Sequence, residues 1–160
     1  MVRYGALFLL ISFIFAGCQS EESFSGKVGG INHGLSVGSK KLSVTVFQWE
    51  GGGINLIKSV ELIMVELPEI KQREEQMRIP RKIMSFLGNE YDYKVTAKFV
   101  DSPEKGGPTP GFIYHNKEDI AIALLKQGYL KVDKNSEFAD DYPEKFQKYL
   151  KAESTTKESK

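Results

Sequence analysis

The chain has 160 residues and a nearly balanced charge, with 22 Lys and Arg against 21 Asp and Glu. That length suits one domain with a core that holds without staples, and a single cysteine, Cys18, excludes a disulfide within the chain. Non-specific nucleic-acid binding draws on surplus Lys and Arg to neutralise phosphates, so no strong general affinity for nucleic acid is expected from this balance.

At the N-terminus Arg3 precedes an apolar run, Gly5 to Phe15, that is too short to span a bilayer, and Ala16-Gly17-Cys18 follows it. A short positive segment, an apolar run and a small pair before a cysteine resemble a bacterial lipoprotein signal, with Phe15 standing where Leu or another aliphatic is usual. The resemblance implies that residues 1–17 are removed, that Cys18 is lipidated, and that the membrane is a partner through this N-terminal lipid. A lone thiol in an oxidising compartment would otherwise be a reactive liability. Arg3 is the only charged residue removed, which leaves a formally neutral mature chain. Gln19 rather than Asp follows the cysteine, and this implies the outer membrane or cell surface within a bacterial envelope.

Residues 18–37 are rich in Ser, Gly, Lys and Glu and read as the lipidated N-terminus and a flexible tether, although the glycines leave Gly29 to Gly34 unassigned. A domain is expected over 38–153. Leu42, Val44 and Val46 alternate with smaller or polar neighbours, a half-buried strand ended by Gly51-Gly52-Gly53. The run Ile54 to Leu67 is apolar on both faces around Val60 to Val65 and makes a hairpin with that strand. After Pro68, a short amphipathic helix is predicted over Ile79 to Leu87, with Pro80 in its first turn and Gly88 as a left-handed cap. From Tyr91 the chain alternates again, with Tyr91, Tyr93, Val95, Ala97 and Phe99 on one side. A loop rich in Pro and Gly separates this strand from Gly111 to Tyr114. Asn116 then caps a helix over Glu118 to Gln127 that Gly128 stops, Tyr129 to Val132 reads as a strand, and Pro143 opens a helix to Glu153 that buries Phe146, Tyr149 and Leu150. Residues 154–160 read as a disordered polar tail. The fold class is α+β, mainly β: a five-stranded antiparallel barrel of the oligonucleotide/oligosaccharide-binding type with about three helices.

Val60-Glu61-Leu62-Ile63-Met64-Val65-Glu66-Leu67-Pro68-Glu69 resembles a segment of staphylococcal-nuclease-like (thermonuclease) domains that reads apolar, Arg, three apolars, Val, Asp, Thr, Pro, Glu. Gly111-Phe112-Ile113-Tyr114 and the segment Ile120 to Val132 resemble a later strand, helix and strand of that family, and Phe146 to Glu153 its final helix. Family members that cut nucleic acid hold a calcium ion with two Asp, orient the attacking water with a Glu and clamp the phosphate with two Arg. A hard cation needs oxygen ligands, and a pentacoordinate phosphate needs guanidinium forks for its extra charge.

Carried onto this chain, the family's Asp-Gly-Asp-Thr falls on Gly38-Ser39-Lys40-Lys41, so Lys40 stands at a ligand position. Glu66 takes the second ligand position and is the candidate metal residue, while Glu69 keeps the place of the water-orienting Glu. Glu61 stands for the first Arg, and Pro108 lies at about the place of the second. Glu66 and Glu69 are thus the candidate catalytic remnants, and no cofactor is expected, or calcium if the chain is a divergent nuclease. His33 and His115 lie far apart and neither has a second metal ligand at zinc spacing. Trp49, with Phe47 and the tyrosines near Tyr91, is a candidate aromatic contact for a base or sugar. The resemblance with its lost positions implies a lipid-anchored binding or structural module without catalysis, whose ligand is an unnamed protein, glycan or nucleic acid. The alternatives are a divergent calcium-dependent envelope nuclease and a barrel that binds glycan or peptide.

Overall fold

A computed structural model describes residues 23–33, 40–50, 53–69, 73–100 and 107–158. Residues 1–22, Cys18 among them, and residues 101–106 lie outside the described residues. Five strands close a barrel: β1 (Ser23–His33), β2 (Leu42–Glu50), β3 (Gly53–Leu62), β5 (Lys94–Phe99) and β6 (Thr109–His115), in the order β3-β2-β1-β5-β6. Four of these pairings are antiparallel. Closure comes from a parallel pairing of β3 with β6, Val60 opposite Thr109 and Leu62 opposite Gly111. A two-residue strand β7 (Glu118–Asp119) extends β6, and β4 (Val65–Glu66) pairs with β8 (Lys131–Val132) in a separate ribbon. The predicted strand at Tyr129 to Val132 therefore exists only as β8, outside the barrel.

The fifth barrel strand is instead β1, inside the segment expected to be a tether. Phe24 and Val28 are buried while Ser23, Ser25 and Lys27 are exposed, the alternation of a strand with one face on the core. β1 bends so that Ser23 to Lys27 pair with β5 and Lys27 to His33 with β2, with a register shift between Val28 and Gly30. Glycine makes that bend feasible: a Cβ at Gly26 would sit 2.2 Å from the Phe47 carbonyl oxygen, and one at Gly29 would sit 1.3 Å from the Phe47 ring. Gly111 does the same in β6, where a Cβ would lie 2.4 Å from the Lys98 carbonyl oxygen.

The helices cover the barrel. α1 (Arg73–Tyr91) starts earlier than predicted because Glu74, Glu75 and Arg78 are good helix formers, and Pro80 lies inside it, where it removes one backbone donor. Ile79, Ile83, Leu87 and Tyr91, four residues apart, are all buried. Gly88 is not its cap. Asp92 and Tyr93 take positive φ instead, the Tyr93 N–H donates to the Leu87 carbonyl at 3.1 Å, and the Tyr93 ring packs where a Gly88 side chain would be. Tyr91 therefore belongs to the helix, and the alternating strand starts at Lys94. α2 (Ile120–Lys126) is capped by Asp119 rather than Asn116, and Gly128 ends it with φ 71 as predicted. α3 (Pro143–Glu158) runs through most of the predicted tail, pinned where the Thr156 hydroxyl donates to the Leu125 carbonyl at 2.7 Å. Tyr149 is fully buried, and Phe146 and Leu150 are half-buried.

Candidate functional site

The positions singled out by the nuclease-like pattern gather at the end of the barrel where β3 meets β4. The Leu67 N–H donates to the Lys40 carbonyl at 2.7 Å, which brings Lys40 beside the segment Glu66 to Glu69. Glu66 is half-buried in β4 with Lys131 as its register partner, and Glu69 is exposed beyond it. Glu61 pairs in register with Ser43 on one side and Pro110 on the other, two residues from exposed Pro108.

The side chain that decides the chemistry there is Lys41, which no sequence pattern singled out. Its Nζ lies 2.7 Å from Glu61 Oε1, at the mouth of a cavity of about 230 Å³ that Asp133 and Glu137 also line. The hydrogen bond to Glu61 raises its ammonium above the ordinary lysine value; burial acts against this, and the charges of Glu61, Glu137 and Asp133 support it. A positive charge is therefore built into a ring of carboxylates. Lys40, at the position the pattern gives to a ligand carboxylate, offers calcium no oxygen, and Glu66 and Glu69 are the carboxylates left at the patterned positions. Among the described residues no three His, Cys, Asp or Glu come together in a way that could hold a metal ion.

A larger groove, about 940 Å³, runs along β1, β2, β5 and β6, lined by Ser25, Lys27, Phe47, Gln48, Lys94, Thr96, Tyr114, His115 and Asn116. Its polar groups are held in place. Ser25 and Thr96 share a hydroxyl hydrogen bond of 2.8 Å across β1 and β5. The Asn116 amide donates to His115 Nε2 at 2.9 Å, which leaves Nδ1–H to donate to the Lys94 carbonyl at 2.8 Å. The His115 ring sits 5.0 Å from that of Tyr91. Burial, then the neighbouring Glu118 carboxylate, pushes the Tyr91 phenol up to about 12. Lys94 and Lys27 both reach Asp92, at 2.9 and 3.8 Å, and the Lys94 hydrogen bond, with the Lys27 charge, holds Asp92 below the usual carboxylate range.

Among the described side chains of the predicted aromatic surface, Phe47 lines this groove. Tyr91 is buried at the end of α1, Tyr93 folds back on Gly88, and Trp49 pairs with Ile54 in β2, with its side chain outside the described residues, as is that of His33.

A third cluster escaped the sequence reading. Asp119 is 8% exposed, accepts the Ala121 N–H at 3.1 Å as the cap of α2, and accepts the Tyr149 hydroxyl at 3.0 Å and the Lys145 ammonium at 2.6 Å. Lys145 also donates to the Tyr114 hydroxyl at 2.8 Å and lies 4.4 Å from the Phe112 ring centre. Burial alone would lower the Lys145 value, yet the Asp119 charge and the hydrogen bonds leave it raised; burial, then Asp119, pushes the Tyr149 phenol well up. The four-residue spacing of Lys145 and Tyr149 marks one helix face, but nothing in the sequence around Asp119 announces their partner. Compared with models of known protein families and with curated proteins, the chain finds no match.

Proposed function

We propose that this chain is a lipid-anchored binding module of the bacterial envelope, built on a nuclease-like barrel that does not hydrolyse nucleic acid. The observation that carries the non-catalytic reading is the Lys41–Glu61 pair of 2.7 Å. It places an ammonium against the carboxylate standing where an Arg would meet the phosphate. A phosphate would be repelled by the excess of Glu61, Glu137 and Asp133 over that ammonium. Removing one donor to a developing oxyanion costs about 3 kcal/mol, a hundredfold or more in rate, and here two guanidinium groups and a metal ligand are replaced together.

The binding role falls to the groove between β1, β5 and β6. Its two ammonium groups share the single carboxylate of Asp92, and beside them it presents hydroxyls, amides and an imidazole near aromatic rings. That set suits a ligand rich in hydroxyls, and we assign it to a glycan.

The test is calcium-dependent cleavage of single-stranded DNA by the purified chain, with Glu69→Gln alongside. No cleavage is expected from either. Robust cleavage abolished in Glu69→Gln would establish the divergent nuclease and end the non-catalytic reading.

A further inference from the structure

The largest exposed aliphatic side chains among the described residues are neighbours: Leu56 is 46% and Ile57 is 59% exposed, both near the free end of the β2–β3 hairpin. Successive strand residues point to opposite faces, so this end of the hairpin carries an apolar side chain on each face. A hairpin end facing water ordinarily keeps one face polar. In register, Leu56 lies opposite Gln48, Ile57 opposite Phe47 and Ile54 opposite Trp49, and residues 51–57 contain no charge. With an aliphatic side chain on each face, and Glu50 opposite Gly53 beside the turn, this end has the form of a wedge rather than a patch.

Its position relative to Cys18 gives the wedge an occupant. β1 and β2 are antiparallel with Lys27 opposite Phe47, so the start of β1 at Ser23 lies at the hairpin-tip end of the barrel. The Lys58 ammonium, one residue beyond Ile57, stands 5.4 Å from the Phe24 ring centre and links that start directly to β3. Only four residues, or five Cα-to-Cα steps, separate Cys18 from Ser23. Even fully extended they reach about 17 Å, roughly half the length of the ten-residue strand β3. The opposite end of the barrel carries Lys40, Lys41, Glu61, Glu66 and Lys131, which favour water.

We infer that the tip of the β2–β3 hairpin, through Leu56 and Ile57, seats on the lipid bilayer that holds the acyl chains of Cys18. This rests on the lipoprotein reading. Acyl chains and wedge together form a two-part anchor that fixes the barrel upright on the membrane, with its charged end outward. Exposed aliphatic side chains at such a tip suit burial at the boundary of headgroups and acyl chains.

The test uses the full-length lipidated chain in vesicles of phosphatidylethanolamine and phosphatidylglycerol. Acylation blocks the Cys18 sulfur, so Leu56→Cys, Ile57→Cys and, at the far end, Lys131→Cys each supply a single thiol for a polarity-sensitive fluorophore. Mass spectrometry of the same samples reads the lipid on Cys18. With Cys18 acylated, labels at 56 and 57 are expected to shift to the blue and to be quenched several-fold more by nitroxide lipids than the label at 131. Equal quenching at all three positions on an acylated chain would overturn the inference and leave the lipoprotein reading intact. Protection of 56 and 57 in native membranes but not in pure lipid would also overturn it, in favour of a protein partner. A chain without acyl groups would overturn both.

Discussion

Replacing Asp119 by Ala removes the cap of α2, the counter-charge of a largely covered ammonium and the acceptor of a buried phenol in one step. Loss of the cap costs about 1 kcal/mol. Stripping one member from a fully enclosed ion pair costs about 3–5 kcal/mol. The Lys145 side chain, however, is 22% exposed and keeps the Tyr114 hydroxyl, so the lower figure of about 2 kcal/mol applies here. The orphaned Tyr149 hydroxyl adds about 1 kcal/mol. The whole is about 4 kcal/mol, which for a domain of this size lowers the melting temperature by about 15 °C. Thermal and urea unfolding followed by circular dichroism at neutral pH measure it, with Lys145→Met and the double variant completing the cycle. The double variant is expected to lose less than the two single losses added, since no orphaned cation remains. A loss in Asp119→Ala of no more than about 1 kcal/mol, or strict additivity, would reduce the cluster to a helix cap and refute this reasoning.

Phenolate absorbance should show Tyr91 titrating near 12, and Tyr91→Phe should remove that late phase. Because the folded state holds this proton more tightly than the unfolded chain, stability should be intact below pH 10 and fall as pH climbs from there toward 12. The raised ammonium of Lys145 acts with the same sign, its contribution present below the ordinary 10.5 and lost as pH rises through its folded value. Gly111→Ala should cost about 1–3 kcal/mol, because its Cβ meets the Lys98 backbone at 2.4 Å, whereas Gly107→Ala, with open space around it, should be neutral in the same urea titration. Cys18→Ala should release the chain from membranes on fractionation; a variant still lipid-labelled and membrane-bound would count against acylation at this residue.

The parts of the fold legible in the sequence are those where burial alternates with a clean period. Val95, Ala97 and Phe99 face the core as their spacing requires, and Gly128 ends α2 in the conformation that glycine alone adopts freely. β1 was illegible for a physical reason. Phe24 and Val28 keep the period of two, but the inward place between them is Gly26, whose missing side chain serves the bend and erases the hydrophobic signal. α1 and α3 outrun their predicted ends because charged helix formers and a threonine bonded to α2 extend them beyond the apolar stripe. At the candidate site, the convergence of Lys40 with the Glu66 to Glu69 segment is what the resemblance implies, whereas the Lys41–Glu61 and Lys145–Asp119 pairs depend on side-chain reach that spacing does not encode.

The two-partner arrangement of β1 also sets an order of events during synthesis. The Ser25–Thr96 contact spans 71 residues, while the rest of β1 pairs with β2, the next strand in the chain. A growing chain that has passed Leu62 can form the β1-β2-β3 meander, but the first half of β1 keeps a bare edge until β5 arrives. Closure of such a distant pairing is slow. The start of β1 is thus loose and unpaired early and fastened only once Lys94–Phe99 has docked, which makes this edge one of the last parts of the barrel to close.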